Sequence, residues 1–295
     1  MVQASSAESA TSDKKMTIWE HLDELRSRLV KAILAYIVGA CLAWNYREPI
    51  LAWLWKPFAD SWRAAGIDGD PALNFSSPSE IFTAYFKLSL IGGLLFSAPV
   101  MFYQLWAYVA PGLYKKEKTV IVPFVFFSSF LFVGGGLFGW RVAFPITFNW
   151  FLELAKGENS KVIVRPVLMM PQYLDFVGQM LLGFGIVFEL PIFILFLSIV
   201  GLVNYLQLIR FGRWFVLVAF TVAAIFTPPD TTSQIVMAVP MCLLYVVSIG
   251  LAFLFGKRPS KEEIARSRAE REARRKAKLA EREAAKKRKK DDPPK

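Results

Sequence analysis

Six apolar runs constrain this chain more than any other feature of its sequence. They lie at roughly 29–47, 81–109, 119–152, 173–201, 213–227 and 233–255. A helix crossing a hydrocarbon core of roughly 30 Å needs about twenty such residues. A soluble protein would need a polar face on each of these helices. With 55% hydrophobic residues and a mean hydropathy of +0.39, the chain has too few. The sequence predicts an all-α, polytopic membrane protein with six transmembrane helices. Its expected parts are a disordered N-terminal segment (1–16), a membrane domain (17–256) and a basic charged tail (257–295). Residues 1–16 contain no apolar core and do not read as a cleaved secretory signal.

The basic charge is concentrated in the tail, where 17 of the 35 Lys and Arg fall within residues 257–295, against 8 of the 24 Asp and Glu. A localised charge of this kind suits solvent or anionic lipid headgroups and gives no indication of nucleic acid. Lys14, Lys15, Arg26, Arg28 and Lys31 flank the N-terminal end of the first run. Lys115, Lys116 and Lys118 separate runs two and three, and Arg210 and Arg213 separate runs four and five. The excess of bases on that side predicts that both termini are cytoplasmic. Lys156, Lys161 and Arg165 run against the pattern, whereas "TPPDTTSQ" at 227–234 has no base. Between Arg213 and Pro228 lie only fourteen residues, about 21 Å of helix, so a short fifth span is expected. Pro99, Pro123, Pro145, Pro191 and Pro240 fall inside the runs. Their kinks would give the bundle a curved, concave form.

Three stretches place charge where chemistry becomes possible. In "TIWEHLDELRSRL" (17–29), Ile18, Leu22, Leu25 and Leu29 form an apolar stripe, and Thr17 and Glu20 have capping-box spacing. Glu24 and Arg28 stand four apart, which allows either a weak helical ion pair or a carboxylate open to a ligand. In "APGLYKKEK" (110–118), Glu117 is the only acid among lysines, on the same predicted side as Glu24. It is either a surface pair or a second carboxylate for a cationic ligand. In "LLGFGIVFELPIFILFLSIV" (181–200), Glu189 is the only charged residue. At mid-helix it costs on the order of 3 kcal/mol. It is either a neutral group bonded within its own bundle or a contact for a solute or another membrane helix. Gln234 and Gln179 are apolar-flanked candidates to meet it.

Other chemistries lack their residues. The one histidine, His21, excludes a two-His metal site, and two cysteines in apolar runs give neither a disulfide framework nor a thiolate metal site. There is no Walker A loop and no Gly-x-Gly-x-x-Gly. No catalytic residue, metal or cofactor is expected. Glycines 134–136 and Gly139 suit close helix packing.

Four motifs in order carry a family resemblance: "HLDELRSRL" (21–29), "SAPVMFYQLWAYVAPGLYKKEK" (97–118), "FGIVFELP" (184–191) and "TPPDTTSQ" (227–234). Over about residues 17–256 the chain resembles TatC, the multispanning receptor subunit of the twin-arginine protein translocase. The resemblance implies that Glu24 and Glu117, with Arg26 and Arg28 beside them, bind twin-arginine signal peptides of folded cargo. It implies that Glu189 meets the polar position of the single-span subunits TatA and TatB, that Gln234 is a further intramembrane contact, and that Pro228, Pro229 and Asp230 mark the outer loop. It also implies a bacterial inner-membrane location, homo-oligomers within a larger complex, membrane lipids as partners, and export driven by the proton motive force. Paired guanidiniums fit carboxylates as planar donor forks, which lysines lack. Two other classes remain: a proton- or cation-coupled transporter using Glu189, and an assembly scaffold without peptide specificity.

Overall fold

The computed structural model describes residues 18–67, 69–109, 121–156, 166–257 and Ile264. The expected disordered segment 1–16, the cap residue Thr17, the loop bearing Glu117 and nearly all of the tail lie outside them.

The described chain is helical apart from one two-residue ladder. Helix α1 (Ile18–Asn45) is followed directly by α2 (Arg47–Ala65), and α3 (Pro78–Val109) by α4 (Ile121–Phe138). A π-turn at Gly139–Ala143 joins α4 to α5 (Phe144–Lys156). Next come α6 (Met170–Phe188), α7 (Leu190–Val200), α8 (Tyr205–Phe226) and α9 (Thr231–Phe255). Six spans are long and apolar enough to cross a membrane: α1, α3, α4–α5, α6–α7, α8 and α9. The fold is that of a multi-pass helical membrane protein, as the apolar runs predict.

Proline explains two irregular places. Pro145 has no N–H, and immediately before it the helix widens, so that the Phe144 N–H bonds to Gly139 O, five residues back. Pro191 follows the break at Glu189, which ends α6 and starts α7. The charged side chain therefore stands at a helix break inside the fourth span.

Two places depart from what the apolar runs alone indicate. The polar stretch between the first two runs contains α2, whose Leu54, Phe58 and Trp62 recur every four residues and are buried. The fifth span is not short as a helix: α8 has 22 residues, about 33 Å, because the helix begins at Tyr205 rather than after Arg213. Asn204 starts it with a capping box, its side chain accepting from Gln207 N while Gln207 Oε1 accepts from Asn204 N. Only the uncharged part of α8 is short.

The core runs along α8 and α9 through Phe215 and Tyr245 and reaches the α2 end of the bundle, where α2, α5 and α6 meet. Phe58, Phe148, Tyr173 and Leu174 are buried there. Tyr173 Oη donates to Leu54 O at 2.8 Å, and Trp62 Nε1 to Gly69 O at 2.8 Å. Lys87 of α3 pairs with Asp175 of α6 at 2.7 Å. Strands β1 (Leu73–Asn74) and β2 (Leu168–Met169) pair in parallel across the same end. Close approach elsewhere needs glycine. A Cβ at Gly135 would lie 2.5 Å from Phe184 O, and one at Gly93 would lie 2.6 Å from the Ala40 backbone of α1. Of the predicted glycine cluster, Gly135 and Gly139 make tight contact with α6, whereas Gly134 faces open space.

Candidate functional site

At the end of the bundle away from α2, the start of α1 lies beside the end of α3. The His21 and Tyr108 rings stack there with centroids 4.6 Å apart. One turn further along α1, Glu24 Oε1 accepts from Arg28 Nε at 2.9 Å, the helical pair that the spacing allows. Glu24 Oε2 is buried and has no hydrogen-bond partner among the described residues. Arg26 is exposed. Glu117 falls outside the described residues, and α3 ends at Val109, one residue after the Tyr108 that stacks on His21.

Beside this carboxylate a cavity of about 340 Å³ opens between α1 and α3. Leu25, Leu29, Met101 and Leu105 form its apolar walls, Phe132 of α4 its base, and Arg28 lines its edge. The apolar stripe of α1 is not buried in the chain: Leu22, Leu25 and Leu29 stay exposed. The stripe faces this cavity and the surroundings of the bundle instead.

Phe132 also touches the second carboxylate's neighbourhood. Its ring lies over Gly185, where a Cβ would meet it at 2.7 Å. One turn beyond Gly185, Glu189 takes a hydrogen bond from the Ser128 hydroxyl of α4. Ser128 Oγ in turn accepts from Trp106 Nε1 of α3 at 3.0 Å. An indole N–H can only donate, so the first step runs from Trp106 to Ser128 and leaves the Ser128 proton for the Glu189 carboxylate. The other carboxyl oxygen, Oε1, is buried without a partner among the described residues. Glu189 thus has one oxygen bonded within its bundle and one available.

The structure does not bring the glutamines to Glu189. Gln234, in the first turn of α9, donates its amide to Phe220 O of α8 at 3.0 Å, and Gln179 is on the exposed side of α6. Asp230 caps α9, its Oδ1 accepting from Ser233 N at 2.7 Å. Pro228 and Pro229 make the tight turn before it, closed by Asp230 N to Pro228 O at 2.7 Å. The outer-loop motif is therefore a helix cap and turn. Ser128 and Trp106 were not legible as site residues. Ser128 lies in "FVFFSSF", and only the tertiary fold distinguishes it from Ser129, which bonds back to Val125 O of its own helix. Among the described residues no group of His, Cys, Asp and Glu could hold a metal ion.

Fold and site together define a polytopic helical membrane protein whose carboxylates Glu24, Glu189 and Asp230 each have one buried oxygen without a partner among the described residues, that of Asp230 belonging to a helix cap. Comparison with known proteins gives the family. Residues 20–240 match the family model for TatC, the Sec-independent protein translocase protein. The TatC of Desulforapulum autotrophicum is 39% identical over 251 residues, covering 85% of this chain and 89% of that protein. The TatC of Aquifex aeolicus is 33% identical over 81% of this chain and 95% of its own length. A crystal structure of the twin-arginine translocase receptor TatC superposes with a TM-score of 0.69 at 33% identity, covering 80% of this chain and 99% of that one. A second, in the detergent DDM, gives 0.70. The chain belongs to the TatC family.

Proposed function

We propose that this protein is the receptor subunit of a twin-arginine translocase. In this reading it lies in the bacterial inner membrane with both termini cytoplasmic, and it binds the signal peptides of folded proteins and assembles with TatA- and TatB-type single-span helices. It works by binding, without catalysing a reaction itself. Copies of the chain associate within the larger complex.

The observation that carries this reading is Glu24. Its Oε1 is held by Arg28 and its Oε2 is buried and unpartnered, beside an apolar cavity. A signal with two guanidiniums followed by an apolar segment has the complementary chemistry. One guanidinium forks onto the carboxylate, and the apolar segment follows the exposed stripe of α1. Glu117 is the second carboxylate of the site in this proposal, and Arg26 and Arg28 keep the acids from being overcharged. Glu189, with its free oxygen, receives a polar donor from a partner helix, and Gln234 offers a further polar contact.

The test is binding of a twin-arginine peptide and its twin-lysine counterpart to the purified protein and to a Glu24→Gln, Glu117→Gln variant. The arginine peptide should bind well, the lysine peptide poorly, and the variant neither. Equal affinity for both peptides would move recognition away from these carboxylates. For Glu189, cysteine pairs between its helix face and a co-expressed partner helix should form disulfides well above those on the far face of α6.

A further inference from the structure

A polar cavity of about 260 Å³ lies at the α2 end of the bundle, opposite Glu24, between α2 and the π-turn that joins α4 to α5. Lys56 and Ser61 of α2, Arg141 of the π-turn and Asn149 of α5 line it. None of these four side chains has a hydrogen bond or ion pair among the described residues. All four can donate, and Ser61 is only 4% exposed. The acid on the same wall, Asp60, is held by Arg63 at 3.5 Å. The two cations are fixed in relation to each other. Trp140, next to Arg141, stacks on Trp53, one turn from Lys56, with ring centroids 4.3 Å apart. Its Nε1 donates to Trp53 O at 3.0 Å. The stack pins the π-turn against α2, so two like charges share one cavity, an arrangement that an anion relieves.

We propose that this cavity binds the phosphate of an anionic phospholipid, with Lys56, Ser61, Arg141 and Asn149 as donors and an acyl chain along the exposed face of α4. A phosphate has the several acceptor oxygens that four donors ask for, and the guanidinium fork of Arg141 suits two of them. Depth supports a lipid as its source. From Ile121 to Trp140 no residue is charged, and these twenty residues of helix span about 30 Å. That matches the thickness of the hydrocarbon core, and Arg141 follows directly. The indoles of Trp53 and Trp140 beside it take the interfacial level that tryptophan favours. Phe126, Phe130, Val133 and Leu137 recur at intervals of three and four along α4, all exposed, and end one turn before Arg141. A soluble phosphate gains nothing from that strip, whereas an acyl chain does.

The test uses the full chain in vesicles of phosphatidylcholine with phosphatidylglycerol, followed by native mass spectrometry of the lipids retained. Wild type should keep phosphatidylglycerol in preference to phosphatidylcholine. K56Q/R141Q should weaken the tightest phosphatidylglycerol site about thirtyfold, at ~1 kcal/mol per basic residue near an anionic surface. The basic tail is common to both proteins and cancels in the comparison. K56R/R141K keeps both charges and should stay within a few-fold of wild type, which separates lost charge from lost fold. As a measurement needing no variant, phosphatidylglycerol with a photoreactive headgroup should label the peptides spanning 53–64 and 137–149. Three outcomes would overturn the proposal: equal retention by wild type and K56Q/R141Q, absence of label from both peptides, or full displacement of the lipid by glycerol phosphate, which would make the cavity a site for a soluble anion.

Discussion

At the α2 end of the bundle, Phe58, Phe148 and Tyr173 are each 4% exposed, and the Trp53 and Trp140 rings stack at 4.3 Å. Their polar tips are bonded: Tyr173 to Leu54 O, Trp140 Nε1 to Trp53 O. The cavity at that end is about 260 Å³ and polar, lined by Lys56, Asp60, Arg141 and Asn149. At the α1 end, Trp106, Phe124 and Ile192 form a small separate buried cluster, beside the Phe215–Tyr245 stack of α8 and α9, and the neighbouring cavity is larger and apolar. Buried oxygens of Glu24 and Glu189 have no partner among the described residues in that half, and those of Thr147, Asp230 and Ser233 have none in the other. An unfilled apolar cavity and an unpaired polar atom each cost stability. The two ends differ in their cavities: that at the α2 end is lined by charged and amide groups, and that at the α1 end is apolar and lies beside Glu24.

That contrast is open to breakage, although the largest effect should come from the close α4–α6 packing that both ends share. Gly135→Leu would drive a side chain into the Phe184 carbonyl, where a Cβ alone comes to 2.5 Å. Overpacking of this kind costs about 3 kcal/mol or more. The expected outcome is loss of monodisperse protein on size exclusion. Glu24→Gln comes next and acts on the other end. Removing a charged partner of a guanidinium should lower twin-arginine peptide affinity about ten- to hundredfold, while the melting temperature moves little, since an i,i+4 helical pair contributes about 0.3–0.5 kcal/mol. Tyr173→Phe should do the opposite, costing about 1–2 kcal/mol through the unpaired Leu54 carbonyl and leaving peptide affinity within twofold. The smallest effect, about 1 kcal/mol, is expected from Ser128→Ala, which removes the donor to Glu189. Its sharper readout is disulfide yield between the Glu189 face and a partner helix, which should fall or shift register while the fold persists. If Glu24→Gln and Tyr173→Phe changed stability and affinity in the same proportion, the division of labour between the two ends would be wrong.

How far these ends could be read from the sequence differs in the same way. Spans are legible because lipid demands long uninterrupted apolar runs. The pair of Glu24 and Arg28 is legible because helical spacing alone brings them together. Helix α2 was concealed by Arg47, Glu48, Lys56, Asp60 and Arg63, which make it resemble a loop when the question is membrane crossing. Its four-residue recurrence of Leu54, Phe58 and Trp62 was the signal available. The start of α8 was hidden likewise, although Asn204 and Gln207 hold the capping spacing. The relay to Glu189 had no local signal, because Trp106, Ser128 and Glu189 come from three different spans.

The smallest element of the fold has a consequence for how the protein is made. Strand β1 waits for β2: Asn74, whose amide donates to Leu168 O at 3.2 Å, is 94 positions upstream of it. A ribosome adds about 5–20 residues per second, so the ladder closes roughly 5–20 s after its first strand is synthesised. Through that interval the second and third spans must be threaded while β1 still lacks its backbone partner. The two-residue ladder is therefore a late fastening in biogenesis. A chain arrested before residue 168 would leave that edge open to the machinery that recognises unfinished membrane proteins.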